Sequence, residues 1–532
     1  MKHLLWTAAL LTAGVASLHN ASAQERVDLD MTARIRAEAL HHSQVMATLR
    51  HLTDAIGPRL TNSPAMAEAN RWTRQKFGEW GLSNVHDEAV DDLGRGWVFT
   101  HSQVEMLTPR AMPLHALPKA WTPGTNGTVE GDAIVVKLES KDDLKRWKGQ
   151  LRGKIVFVDD ARAYKPSEKS DFLRYSDSEL DDMLNFPMPK GRDFDPAMAA
   201  RFRSRMELAP LLNQFLIDEG VLATVSISSW NDGIVRVMGG GSRKAGESVG
   251  VPALVMSAEH YNTVLRAIKD EVPVRLRVRV DAQFTDTANQ PGYNTIAEIP
   301  GTGPQRNEIV MLGAHMDSWH AGSGANDNGA GVAVMMEAMR ILKAIGARPN
   351  RTIRVALWTG EEQGLIGSQD YVARHVAHFP EPTDPEQRAV PAFFRQNKGK
   401  PVPGPEFERI SAYYNLDNGS GRIRGIYAQE NLAAAPIFEE WLRPWHDLGA
   451  TIVTQRNTGS TDHASFDAVG VPGFQFVQDP LDYFTHTHHS DLDTLDHAVE
   501  DDLKQAAAIV AAFAYNTAMR PQRMPRKPQT AN

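Results

Sequence analysis

The sequence predicts an α/β protein: a mixed central sheet flanked by helices, with a β-rich domain inserted into it. Three observations carry this. From residue 294 onward, short apolar strands alternate with helical runs. Between residues 127 and 280 the pattern changes to short β segments separated by charged helical pieces. And 532 residues are too many for one ordinary core. The apolar share of 42% and charged share of 23% fit a soluble globular chain.

Taken in order, the chain opens with Lys2 and His3, an apolar run over 4–18, and Ala21-Ser22-Ala23 ahead of Gln24. This is the signature of a signal peptide, cleaved near Ala23, so the mature protein is expected to be exported, periplasmic or extracellular. The run is too short for a membrane span, and no later segment is long and apolar enough for one, so stable membrane insertion is not expected. Residues 26–82 read as helical, with Val45, Leu49 and Leu52 on one face. Ile56-Gly57-Pro58-Arg59 interrupts, and Ser63-Pro64 caps and opens a second helix. Strand signals follow at 96–107 and 112–123.

Within 127–280, Ala133-Ile134-Val135-Val136 and Lys154-Ile155-Val156-Phe157-Val158 are apolar strands, and 274–280 alternates apolar and charged residues strictly. The polar stretch 167–205 reads as a long surface excursion. Beyond 294, strands are expected over 308–312, 352–358, 410–416 and 473–477, and helices over 330–345 and 501–519. The expected parts are therefore a signal peptide (1–23), a first part of the main domain (24–126), an insert (127–280), a second part of the main domain (281–520) and a disordered, basic, Pro-rich tail (521–532).

Charge and composition exclude several functions. The net charge is −8 with no basic stripe, so no nucleic acid partner is expected. There is no cysteine, which removes disulfides, thiolate metal sites and cysteine catalysis. Any metal must be held by His, Asp and Glu.

Such ligands occur in five separated stretches. His315, Glu361-Glu362 and Asp417 each follow an apolar strand, the place where open α/β sheets put their ligands. In His315-Met316-Asp317, a carboxylate two residues on can take the second ring N–H of a metal-bound imidazole. Gly324-Ala325-Asn326-Asp327-Asn328-Gly329 lacks the Lys-Ser/Thr of a phosphate loop, and its small residues let the backbone bring Asp327 close to cations. Adjacent Glu361 and Glu362 diverge on leaving a strand, so one can bind metal while the other faces water. The last stretch, 485–494, holds His486, His488 and His489, and chemistry alone does not choose among them.

As an ordered set these residues resemble the M28 family of zinc exopeptidases: His315-x-Asp317, Asn326-Asp327-Asn328-Gly329, Glu361-Glu362, Asp417, and His489 four positions before Asp493. The resemblance extends to Ile56-Gly57-Pro58-Arg59-Leu60-Thr61 and to Ser460-Thr461-Asp462-His463, and the insert resembles a protease-associated domain. It implies two Zn²⁺ per chain, one on His315 and Asp417, the other on Glu362 and His489, with Asp327 bridging. It further implies Glu361 as general base, Asp317 as the orienter of His315, Asp462 and His463 beside the substrate, a peptide or dipeptide as substrate, and a homodimer as in related enzymes. An aminopeptidase or dipeptidase is the first expectation; a carboxypeptidase of the same family, a glutaminyl-cyclase-like acyltransferase and a non-catalytic binding ectodomain are the rival readings.

Overall fold

The computed structural model describes residues 25–186, 196–385, 388 and 399–528. The expected signal peptide lies outside the described residues. Among those described, no helix is long and apolar enough to cross a membrane.

Two eight-stranded sheets organise the described chain. The first runs, in spatial order, Ser83–Gly94, Gln290–Ile299, Thr352–Trp358, Ile309–His315, Ile410–Asn415, Gly473–Gln478, Ile423–Tyr427 and Ile452–Thr454. Its centre is parallel: Ile309–His315 pairs in parallel with both neighbours, and Ile410–Asn415 with Gly473–Gln478. Antiparallel pairs flank it on both sides, and the edge pair Ile423–Tyr427 with Ile452–Thr454 is again parallel, so the sheet is mixed. Every residue of Ile309–His315 is buried, as expected for a central parallel strand covered on both faces. The apolar helix Ala330–Ala344, buried through its first thirteen residues, packs against the helix Glu500–Met519 on one face. Ser63 caps the helix Pro64–Glu79 by accepting from the Met66 amide at 3.2 Å, with proline in its first turn.

The second sheet runs Met112–Leu114, Trp97–Thr108, Arg275–Phe284, Thr128–Val135, Lys154–Phe157, Ala223–Ile227, Ala253–Met256 and Ala116–Pro118. The alternation in 274–280 appears as expected. Leu276, Val278 and Val280 are buried inward, while Arg277 and Arg279 face outward and pair with Glu130 and Asp281, each at 2.8 Å.

Three expectations need correction. The inserted lobe starts near residue 97 rather than 127, because Trp97–Thr108 forms a long antiparallel ladder with Arg275–Phe284. The stretch 167–186 is not a free excursion: Leu173 and Leu481 exchange backbone bonds at 2.8 Å, Arg174 pairs with Asp502 at 2.6 Å and Asp479 at 3.0 Å, and Leu180 is buried against Ile452 and Val477. Residues 187–195 lie outside the described ones. The tail at 521–528 is fastened to the first sheet's lobe. The Met524 amide donates to Ser411 Oγ at 3.0 Å, Arg526 sits 4.1 Å over the Phe407 ring, and Lys527 pairs with Asp467 at 2.6 Å.

Candidate metal centre

The fold gathers the five ligand stretches at the carboxyl ends of the parallel strands. His315 is the last residue of its strand, Glu361 and Glu362 form a short turn just past Trp358, and Asp417 stands two residues past Asn415. Asp327 lies in the turn that opens the helix Ala330–Ala344, with a cis peptide bond to Asn328. The turn demands small residues. Gly324 has φ +67°, and a Cβ on Gly331 would stand 2.3 Å from Asn328 Oδ1 and 2.4 Å from the Leu416 carbonyl. Asn328 accepts from the Gly331 amide and donates to the Leu416 carbonyl, so Asp327 is tied to the strand that delivers Asp417.

Asp327 is the hub. His315 Nε2 lies 3.4 Å from its Oδ1 and 3.2 Å from Asp417 Oδ1, while His489 Nε2 lies 3.1 Å from Asp327 Oδ2 and 3.1 Å from Glu362 Oε2. Glu361 Oε2 stands 4.0 Å from His315 Nε2, while Glu362 Oε2 is the one beside His489, so within 4.0 Å the adjacent carboxylates reach different imidazoles. Among the three clustered histidines, His489 alone touches Glu362; His488 Nε2 is 3.9 Å from Asp327 Oδ2, and the His486 ring bonds Thr485.

Asp317 departs from expectation. Its backbone carbonyl, not its carboxylate, accepts from His315 Nδ1 at 2.9 Å; the nearer carboxylate oxygen is 3.8 Å away. The carboxylate accepts instead from the Glu361 and Glu362 amides at 3.2 and 3.3 Å and from the Thr61 hydroxyl at 3.0 Å. It orients the glutamate turn rather than the imidazole, because two free amides there offer stronger bonds than a ring already served by a carbonyl.

Arg59 is fully buried, and its guanidinium donates to the carbonyls of Met316, Ser323 and Gly324 at 2.8, 3.0 and 2.7 Å, joining the loops that present His315 and Asp327. Asp493 accepts from the Asn326 and Asp327 amides at 2.6 and 3.2 Å. Burial and the Asp327 charge push Asp493 up to about 8. Trp319 donates its indole N–H to Glu362 Oε2 at 2.7 Å. Trp319 and Arg236, whose Nη2 lies 3.2 Å from His489 Nδ1, were missed from sequence because each acts through a long-range contact with no local signature.

The electrostatics are those of crowded, buried acids. Burial and the Asp327 charge raise Glu362 to about 7; burial, with Asp417 and Glu362 adding to it, holds Glu361 well above the carboxylate range. Burial alone would raise Asp327, yet the imidazoles of His315 and His489 hold it well below. Burial opposes protonation of His489, but Glu362 and Asp327 carry it up to about 10. Asp327 Oδ2 and Glu362 Oε1 are buried without a hydrogen bond. Oxygen and imidazole donors from His315, Asp327 and Asp417 lie within 4.8 Å of one another, as do those of Asp327, His488 and His489 and those of His315, Glu361 and Glu362. Such a set, with unused buried oxygens and no sulfur, fits divalent cations such as zinc.

The centre opens into a cleft of about 600 Å³, lined by Asp327, Glu361, Glu362, Asp417, Ser460 and Thr461 together with Tyr483, Phe484, His488 and Met238. Asp462 and His463 do not line it. Both are buried, with His463 Nε2 against the Thr458 carbonyl at 3.0 Å; Ser460 and Thr461 present this motif to the cleft instead.

Residues 294–514 match peptidase family M28. The chain is 27% identical to carboxypeptidase Q of Mus musculus over 477 residues, covering 89% of this chain and 86% of the relative. A peptidase M28 precursor from Shewanella amazonensis superposes with a TM-score of 0.64 at 23% identity, covering 94% of this chain and 99% of that one. The zinc aminopeptidase BSAP of Bacillus subtilis gives a TM-score of 0.55 at 18% identity, covering 92% and 96%. At these identities the two structural likenesses speak for the fold.

Proposed function

From the match of residues 294–514 to peptidase family M28 and the likeness to carboxypeptidase Q, we propose that this protein is an exported zinc exopeptidase of that family with two ions per chain, acting on short peptides. The observation that carries the reading is the double use of Asp327, whose two oxygens face the imidazoles of His315 and His489 separately. His315 and Asp417 would hold one ion, Glu362 and His489 the other, and Asp327 both. When bound, zinc would polarise the scissile carbonyl and acidify the attacking water.

The chain's own residues supply the proton chemistry. Glu361 Oε2 takes the proton of the attacking water and passes it to the departing amine. Its place beside His315 and the amide bonds of its turn to Asp317 suit that task. No Lys or Arg lines the cleft among the described residues to hold a substrate's carboxylate, which favours recognition of its amino end. Cleavage at the amino end, or of dipeptides, follows. The competing reading, removal of the carboxyl-terminal residue, is favoured by the name of the Mus musculus relative. A homodimer is part of the proposal.

Tripeptides blocked at either end, assayed alongside zinc content, test all of this. The expected result is two zinc ions, hydrolysis of carboxyl-blocked peptides and none of amino-blocked ones; the reverse preference would reverse the polarity. Glu361→Gln should retain both ions and lose turnover by roughly a thousandfold. A variant of near-normal activity would remove Glu361 from the role of base. Activity on amino-terminal glutamine alone would point to an acyltransferase, and bound zinc without any turnover to a binding ectodomain.

A further inference from the structure

The imidazoles on either side of Asp327 are backed by groups of opposite character. Behind His315, Nδ1 faces the Asp317 carbonyl at 2.9 Å, and a carbonyl oxygen can only accept. The ring hydrogen therefore sits on Nδ1, and the Nε2 lone pair points at the Asp417 and Asp327 oxygens, ready for a cation. Behind His489, Nδ1 faces Arg236 Nη2 at 3.2 Å, and a guanidinium can only donate. A neutral ring here would accept at Nδ1 and carry its hydrogen on Nε2, facing Asp327 and Glu362.

Arg236 comes from the inserted lobe. Its Nε donates to the His488 carbonyl at 3.2 Å, and its Nη2 also lies 3.3 Å from His488 Nδ1. The segment that carries it is fixed independently of the side chain. The Val237 amide donates to the His489 carbonyl at 3.0 Å, the Val235 amide to Asp491 Oδ1 at 2.9 Å, and the Asp491 amide to the Val235 carbonyl at 3.2 Å. His115, also of this lobe, pairs with Asp491 Oδ2 at 3.1 Å. The lobe thus grips the loop by its backbone and adds one positive charge behind one of the two imidazoles that flank Asp327.

We propose that Arg236 is a positioning residue that weakens cation binding at the His489–Glu362 half of the centre, so that the inserted lobe sets an inequality between the two halves. This rests on the two-ion reading above. A ring that ligates through Nε2 must carry its hydrogen on Nδ1, where it meets a guanidinium N–H; two donors are then opposed, and a cation is added beside an existing positive charge. His315 carries no such penalty. Partners behind a metal-bound histidine typically change affinity by about 10–100-fold.

The test uses the full chain, stripped of metal and titrated with zinc in competition with a chromophoric chelator. Wild type should show two dissociation constants at least about tenfold apart. Arg236→Met should tighten the weaker one by about 10–100-fold and leave the tighter one in place, which also shows that the variant is folded. Arg236→Lys, which keeps the charge, should stay near wild type. His489→Ala should remove the weaker constant alone, assigning it. Two equal constants in wild type, a weaker constant that loosens in Arg236→Met, or loss of the tighter constant in His489→Ala each overturns the inference while leaving the two-ion peptidase standing. A chain that takes up no second ion overturns both.

Discussion

The two sheets have the same number of strands and opposite uses. In the first, the central parallel strand Ile309–His315 is buried throughout, and His315, Glu361, Glu362 and Asp417 collect at the carboxyl ends of the parallel strands. The second keeps one apolar face and one charged face, as in Arg275–Phe284, and offers no such convergence. It contributes instead a backbone clasp on the 488–491 loop and a single guanidinium. The difference is between a lobe that gathers ligands and a lobe that holds one of them in place. Substitutions should therefore divide sharply by sheet and by face.

The largest effect is expected at Asp327. Asp327→Ala removes the one carboxylate shared by both imidazoles, and should abolish binding of both ions and lower turnover by roughly a thousandfold or more. Metal analysis of the purified variant checks this. If one ion stayed at full occupancy, the two halves would be independent and the hub role of Asp327 would fall.

Arg59→Met probes the same lobe without touching a ligand. The buried carbonyls of Met316 and Gly324 would lose their donor, at a cost of about 3 kcal/mol in a denaturation experiment. Metal uptake should weaken with it. A variant as stable as wild type would mean that the loops carrying His315 and Asp327 hold themselves.

These two residues mark how far the sequence could be read. Asp327 announces itself, because a glycine-rich turn around an acid has a chemical meaning by itself and falls in order with the other ligands. Arg59 stands in a recognisable motif, but its task, stitching three carbonyls from loops more than 250 residues away, leaves no local trace. The apolar strands from 308 to 477 were visible for the same reason as Asp327. The boundary at residue 97 was not, since it depends on pairing with a strand that ends at 284. Asp317 was given the wrong partner because spacing shows that an imidazole can be served two residues on, not whether a side chain or a carbonyl serves it. The tail looked unstructured from its prolines and lysines, and a proline-rich segment without regular structure can still be fastened at Ser411, Phe407 and Asp467.

His320 tests the seam between the lobes. It is buried against Trp97 and Phe99, with Nε2 2.7 Å from the Pro118 carbonyl. Burial lowers it from 6.5 to about 4, so the folded state keeps the ring neutral. The sign follows directly. Below pH 6.5 the unfolded chain takes up a proton that the folded chain refuses, so this contribution is intact above 6.5 and is lost as pH falls toward 4. At pH 5 the loss should be about 2 kcal/mol. His320→Gln should be less stable at neutral pH, through lost packing, and should show a shallower decline between pH 6.5 and 5. An unchanged decline would assign the acid sensitivity elsewhere, with buried His463, lowered the same way to about 4, the next residue to test.

The smallest effect should come from the outward face of the second sheet, and it completes the comparison because it sets two arginines of one lobe against each other. Arg277 pairs with Glu130 at 2.8 Å and Glu105 at 3.2 Å, with its side chain 44% exposed. Water screens both contacts, and ordering three long side chains cancels much of what attraction remains. Arg277→Ala should leave the denaturation midpoint within measurement error and leave turnover and zinc stoichiometry as they were. Leu276→Ala, one residue earlier in the same strand, is the matched control: its side chain is fully buried, and truncation should cost about 2–5 kcal/mol. Arg236 is paired no more tightly than Arg277 by distance, yet it faces an imidazole of the metal centre rather than solvent. If Arg277→Ala altered zinc uptake as much as Arg236→Met, the lobe would act through its overall charge, and the placement of one guanidinium behind His489 would not matter.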